Sequence, residues 1–302
     1  MVDVSIIIVN YNTKSLLEAC LYSIYEQTKQ VSFEIIVSDN GSSDGSLSML
    51  AEKFPQVICI DNKENLGFGA ANNRALAKAS GKYIFYLNSD TIFLNNAVKF
   101  FFEYWENSEK KDSIGALGCN LLNERGQTIH SGGDFPTAGS EILQNFLELF
   151  YVLKNSIPII RHTHLGFAND IKSRIVGPID YVTGADLFVK NDSSAVFDER
   201  YFLYYEDTDL QKRMSLAGKE RLLIDGPLIR HLKGMSDKSP SVLSFYRSIP
   251  KIHTQLSACM FLRKFRAGRV KIFILKLIIL MIWLNPLLIR KTRSYISKLF
   301  SI

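Results

Sequence analysis

Residues 4–9 (VSIIIV) form a near-continuous β-branched run, the pattern of a strand covered on both faces. Asn12 or Thr13 can cap the helix after it, in which Leu16, Leu17, Cys20, Leu21 and Ile24 recur at helical spacing. Residues 33–38 repeat the strand pattern and end in the polar turn Asp39-Asn40-Gly41-Ser42-Ser43-Asp44-Gly45. Asp44 then stands as the cap of a helix that runs to about Phe54 and stops at Pro55. A third strand covers 57–60, a glycine loop at 65–69 leads into a helix over 70–79, and Gly81 separates that helix from a strand at 83–87. Strands and helices alternating in this way predict an α/β fold whose mostly parallel sheet has right-handed crossovers and is flanked by helices.

Beyond a helix at 97–106 the pattern loosens. Residues 114–119 read as a strand and 123–126 as a hairpin turn. Residues 140–174 offer a short helix at about 141–153 and an irregular loop with Pro158, consistent with a substrate-specific insertion. Regularity returns over 181–190, in a helix over 207–217 closed by Gly218, and in a strand over 221–224. Charge and composition change near 236–241, which predicts a boundary between a domain over 1–237 and a helical tail over 238–302.

The polar positions that interrupt this pattern sit where open α/β sheets place ligands, at the carboxyl ends of strands. Strand 83–87 runs straight into Asn88-Ser89-Asp90, one anionic and two neutral groups. These suffice for Mg2+ or Mn2+ when substrate phosphate oxygens complete the shell, with a helix cap as the alternative role for Asp90. Asp39 can accept the imide N–H of uracil or thymine, or hold an Asx turn, and Tyr11 can offer its ring to the same base or merely edge the core. Gly67 lets backbone approach a phosphate at a helix N-terminus or simply supplies a flexible link; Asn73 and Arg74 reach a diphosphate or stay solvated. Glu206, Asp207 and Asp209 crowd one helix start, where capping explains one or two of them. A carboxylate there with its pKa raised by burial, flanking tyrosines and like charges can also serve as a general base. His231 is a metal ligand or an ordinary loop histidine in equal measure.

In this order the pieces resemble family-2 glycosyltransferases with the GT-A fold, in particular a rhamnosyltransferase-like branch. The likeness is carried by 4–12 (VSIIIVNYN), 38–45 (SDNGSSDG), 65–73 (NLGFGAANN), 87–90 (LNSD), 183–186 (TGAD), 197–202 (FDERYF) with 206–210 (EDTDL), and His231 with Gly234 and Ser236. The resemblance spans about residues 2–236 and implies inverting transfer of a sugar from a nucleoside diphosphate, dTDP- or UDP-linked, to a hydroxyl of a glycan or lipid-linked acceptor. It implies a nucleotide-binding half over 1–120, with Tyr11 and Asp39 on the base and Asp90 on the cation. It also implies an acceptor half over 121–237, with Gly184, Ala185, Asp186 and Glu206 on the sugar and acceptor side and Asp207 as base. One departure is Asn88, where the family commonly has an aspartate, so the cation is held with one charge fewer.

Charge alters the picture only at the end of the chain. The net charge of +6 hides an acidic body and a tail that has thirteen Lys and Arg and no Asp or Glu after Asp237. The apolar run 277–284 is too short to span a bilayer, and basic residues flank it on both sides. It reads as a helix lying on an anionic membrane, with a core helix or an oligomer contact as the alternative. It lacks the polar, aromatic-interleaved character of nucleic-acid surfaces. Four scattered cysteines and no signal-peptide pattern at the start suit a cytoplasmic protein, peripheral on the inner membrane face. A non-catalytic sugar-nucleotide module would have no use for Asp207, and a nucleotidyltransferase would need a basic, glycine-rich loop where Asn10-Tyr11-Asn12-Thr13 stands.

Overall fold

The computed structural model describes residues 2–156, 176–232, 248–286 and 288–302. They form two compact units. One holds residues 2–135, 176–202 and 206–232; the other holds 136–156, 203–205, 248–286 and 288–302. The boundary expected at 236–241, the loop around Pro158, and Gly234 and Ser236 lie outside the described residues.

The first unit is built on strands β1 (Val4–Asn10), β2 (Phe33–Asp39), β3 (Ile58–Asp61), β4 (Tyr83–Asn88), β5 (Thr91–Phe93), β6 (Ile114–Cys119), β7 (Gly132–Gly133), β8 (Gly177–Pro178), β9 (Tyr181–Val182), β10 (Asp186–Lys190), β11 (Glu220–Ile224) and β12 (Ile229–His231). Its helices are α1 (Lys14–Gln27), α2 (Ser46–Lys53), α3 (Phe68–Leu76), α4 (Ala97–Asn107) and α6 (Glu206–Leu216). Eight strands form one mixed sheet in the order β3-β2-β1-β4-β10-β6-β11-β8. β3, β2, β1 and β4 run parallel, as the alternating pattern predicts. β10 is antiparallel to both of its neighbours. A separate ribbon pairs β12 with β5, and another pairs β7 with β9.

The β-branched run of β1 is buried on both sides because each face meets a different helical layer. Ile6 and Ile8 pack with Leu17, Leu21 and Ile24 of α1 and with Phe101 and Trp105 of α4. Ile7 faces Ala75 of α3 and Leu210 and Met214 of α6. Phe188 of β10 closes the centre against Tyr83, Phe85 and Phe101, with ring centroids 5.2, 5.7 and 5.4 Å away.

Two expectations need revision. Residues 181–190 are not one regular stretch: β9 pairs with β7, and the chain turns at Gly184–Ala185 before β10 enters the main sheet. Asp44 does not occupy the cap position of α2, which belongs to Gly45 with φ +85°. Its Oδ2 instead accepts from the Lys14 amide at 2.8 Å, satisfying a free N–H of α1 across the turn, while its Oδ1 accepts from the Ser46 amide at 3.1 Å.

The second unit contains α5 (Ala138–Ser156), α7 (Ile249–Lys264), α8 (Arg269–Trp283) and short helical turns after it. α8 buries Ile272, Leu275, Ile278, Ile279, Ile282 and Trp283. Half of the apolar tail is therefore core packing, and the other half stays exposed. No helix of the described residues is long and apolar enough to cross a membrane.

Candidate active site

Because β1, β2 and β4 are parallel and in register, Asn10, Asp39 and Asn88 finish at one sheet edge. Asp39 is fully buried. Its Oδ2 accepts from Asn10 Nδ2 at 2.6 Å and its Oδ1 from the Ser42 amide at 2.7 Å, so the Asx turn is present. Tyr11, one residue beyond Asn10, is half exposed. Asn10 is not among the residues that the sequence singles out, although a polar residue ending an otherwise apolar strand is the available signal. Its Oδ1 accepts from Thr13 Oγ1 at 2.6 Å. Thr13 Oγ1 also lies 2.9 Å from Ser89 Oγ. With the Thr13 proton directed at Asn10, the Ser89 hydroxyl must donate to Thr13, leaving Ser89 lone pairs for any ligand.

Gly67, with φ +86° and ψ 179°, is required by a close backbone approach. A Cβ there would lie 2.2 Å from the Phe202 carbonyl oxygen, and the Phe68 amide donates to that oxygen at 2.9 Å. Asn73 braces the same segment: its Nδ2 donates to Phe197 O and Glu199 Oε1, each at 2.9 Å, and its Oδ1 accepts from the Phe197 amide. Arg74, exposed on α3, donates to Asn62 Oδ1 at 3.3 Å.

The pairing of β12 with β5 places His231 opposite Thr91 and hence beside Asp90. His231 Nε2 lies 3.0 Å from Asp90 Oδ1 and 3.4 Å from Asn88 Nδ2, with both the imidazole and the carboxylate largely buried. Asn88 and Asp90, two of the three strand-end groups, thus meet His231, which the sequence offers as a ligand or a loop histidine. One carboxylate, one imidazole and one amide are a donor set suited to a divalent cation of Mn2+ character, with substrate oxygens and water filling the other positions. Among the described residues no cluster of three or more His, Cys, Asp or Glu exists that would hold a metal without help from a ligand. The residues present fit a divalent cation that other ligands help to hold.

β10, running against β4, starts where β4 ends. The Asn88 amide donates to Ala185 O at 3.1 Å, and the Gly184 amide donates to Asp207 Oδ2 at 2.8 Å. Asp207 is therefore one residue of backbone removed from the Asn88 neighbourhood. The Asp207 carboxylate is half-buried, and burial raises its pKa against the hydrogen bonds from the Gly184 and Thr208 amides. Glu206 is buried, with Oε2 unpartnered, and burial followed by the neighbouring Asp207 charge pushes its pKa well above the usual carboxylate range. Asp209 plays another part, fully buried against Arg213 Nε at 3.0 Å and Tyr201 OH at 3.2 Å. The three carboxylates at the start of α6 are thus separated by environment. Tyr204 and Tyr205, immediately before them, both adopt positive φ (66° and 69°), a strained entry of about 1–3 kcal/mol per residue.

Asp186 does not face the edge. It is fully buried, its Oδ2 accepts from the Cys119 amide at 2.7 Å, and burial pushes its pKa up to about 8. Side-chain alternation in β10 turns it into the sheet's interior, leaving Gly184 and Ala185 to present backbone at the edge.

A family model described as "Glycosyl transferase family 2" matches residues 5–169. An uncharacterized glycosyltransferase of Bacillus subtilis, YfnE, is 29% identical over 245 residues, covering 71% of this chain; the chain spans 60% of that protein's length. An N-acetylglucosaminyl-diphospho-decaprenol L-rhamnosyltransferase of Mycobacterium tuberculosis is 24% identical over 251 residues, 78% of each chain. Among solved structures, a mannosyltransferase from Pyrobaculum calidifontis in complex with GDP-Man and Mn2+ matches 97% of this chain and 75% of its own with a TM-score of 0.56 at 16% identity. Residues 1–349 of TarS from S. aureus, with UDP, match at a TM-score of 0.51 and 14% identity, over 99% of this chain and 91% of theirs. These neighbours share the GT-A type of fold.

Proposed function

This chain belongs to glycosyl transferase family 2, and we propose that it moves a hexosyl or deoxyhexosyl group, rhamnose foremost, from a dTDP- or UDP-linked donor to a hydroxyl with inversion. Asp39 and Tyr11 receive the base. Asp90 and His231, with Asn88 and Ser89 beside them, face the diphosphate and its Mn2+ or Mg2+, which when bound neutralises charge on the departing phosphate. Asp207 removes the acceptor proton as the hydroxyl oxygen attacks the anomeric carbon from the side opposite the leaving group, so no enzyme nucleophile is needed. Gly184 and Ala185 border the acceptor side, and Glu206, whose pKa burial and the Asp207 charge raise, lies beside them.

The observation that supports this reading is the chain of contacts Asp90–His231–Asn88–Ala185–Gly184–Asp207, which brings the Asp90–His231 pair and a carboxylate whose pKa burial raises to one strand edge. The acceptor is proposed to be a growing lipid-linked glycan in cell-surface polysaccharide synthesis, by analogy with the decaprenol named for the mycobacterial relative. The basic tail is proposed to hold the enzyme on the cytoplasmic face of an anionic membrane. The test is donor hydrolysis across dTDP-rhamnose and UDP-sugars with Mn2+, Mg2+ or EDTA. Hydrolysis of at least one donor that stops in EDTA is expected. Failure of every donor with both metals, or turnover indifferent to EDTA, refutes the assignment.

A further inference from the structure

Beyond the active site, the second unit carries a cavity of about 940 Å³ where α7 ends, α8 begins and the last residues of the chain return. Arg263, Arg266, Arg269 and Lys276 line it, no Asp or Glu side chain does so among the described residues, the backbone carboxyl end at Ile302 reaches it, and Phe273 and Phe300 give it apolar walls. Arg266 has φ +57° and Gly268 φ +94°, so the tight turn between the helices brings Arg263, Arg266 and Arg269 to the same opening. Arg263 Nη1 donates to Ser301 O at 3.3 Å and fixes the far wall.

The cavity continues into something a free anion would not need. Arg269, Phe273 and Lys276 follow one another at i, i+4 and i+7 on α8 and so share a face. On towards the helix end the exposed residues are Leu277, Met281 and Leu284. Phe273 belongs to both features, lining the cavity while more than half exposed. From Arg269 to Leu284 the face runs about 22 Å, cationic at one end and hydrocarbon at the other. That is the complement of a single amphiphile. Attraction to a charged surface alone would be served by dispersed lysines and would require no concavity.

We propose that this cavity seats the phosphate or diphosphate head of one lipid, whose hydrocarbon chain lies along Phe273, Leu277, Met281 and Leu284. The proposal rests on the membrane reading of the tail and makes it specific: the tail recognises a headgroup rather than a bulk potential.

The intact chain is titrated calorimetrically with geranyl diphosphate and with inorganic pyrophosphate, both in EDTA so that the cation-dependent strand-edge site does not contribute. Geranyl diphosphate should bind more than tenfold tighter than pyrophosphate, since about two buried CH2 groups suffice for that. Arg266→Gln with Arg269→Gln should weaken both probes roughly 30-fold, whereas Leu277→Ser should weaken only geranyl diphosphate. All these side chains are exposed, so melting curves should match the parent and certify the fold. Equal affinity for the two probes, or a double variant that binds like the parent, overturns the lipid site. Flotation with phosphatidylcholine vesicles containing phosphatidic acid separates the two levels. Flotation by parent and double variant alike, without geranyl diphosphate binding, keeps the membrane reading and refutes the cavity. Geranyl diphosphate binding without flotation does the reverse.

Discussion

Asp186→Asn should make the protein more stable as pH rises, and the gain can be worked from the structure. The native carboxyl is fully buried with a pKa of about 8, against an ordinary value of 3.8. A folded-state pKa raised above the unfolded one means that the native state binds the proton more tightly. Asp186 therefore contributes most below about pH 4, and that contribution is lost as pH climbs towards 8. The slope is about 1.4 kcal/mol per pH unit for one group, so between pH 5 and pH 8 the ceiling is about 4 kcal/mol. Relaxation and water entry reduce such values, and roughly 2–4 kcal/mol is expected. Asparagine reproduces the neutral acid: its Oδ1 can accept from the Cys119 amide, and its Nδ2 can meet Thr183 Oγ1, now 3.4 Å from Asp186 Oδ1. Urea unfolding of parent and variant at pH 5, 6.5 and 8 isolates this residue, because every other titrating group is common to both. A stability gap that stays constant over this range, or that favours the parent at pH 8, would refute the assignment of Asp186 as a buried neutral acid.

Asp207→Asn should leave donor affinity near the parent value and lower turnover about 10²- to 10⁴-fold, as read from single-turnover transfer alongside calorimetry. In the parent, turnover should fall on acidification at a pH above the ordinary aspartate range, since the base must be ionised and burial raises its pKa; a profile flat down to pH 4 argues against that role. Gly67→Ala forces a Cβ to 2.2 Å from Phe202 O at a φ of +86°, and a loss of about 3 kcal/mol is expected by chemical denaturation, from backbone strain plus the Phe68–Phe202 hydrogen bond. Lys251→Met should cost about 3–5 kcal/mol, because Glu148, 2.5 Å from the ammonium and equally buried, is left as an uncompensated carboxylate. Adding Glu148→Met should recover most of that loss; if the double variant melts no higher than the single one, the charge argument is wrong.

The strands that alternate with helices were legible because each carries a pattern that only one environment satisfies: β1 is apolar at every position but Ser5 and Asn10, and it meets two helical layers. The direction of β10 was not legible, since a strand buried on both faces reads the same whichever way it runs. The carboxyl-edge residues Asp39, Asn88 and Asp90 could be named from their place after apolar runs, and His231 only as one of two equal options. What brings His231 to Asp90 is the short β5–β12 pairing, a long-range contact with no local signature. The triad at α6 is legible from its residues as a group, and its members are told apart only by the family resemblance. The sorting of Asp207 from Asp209 depends on Gly184, Tyr201 and Arg213, of which only Arg213 lies at helical spacing. Asp186 misled because its neighbours at 183–185 belong to the edge, while its own side chain follows the strand's alternation inward.

The reversed course of β10 has an evolutionary corollary. A counter-running strand delivers the start of one segment to the place where another finishes, so the loops before β10 and after β4 touch without being contiguous in the gene. Under the proposed assignment, changes that retune the acceptor hydroxyl can accumulate in the first without disturbing the nucleotide-facing residues proposed in the second. One scaffold could in this way diversify its products while keeping its donor.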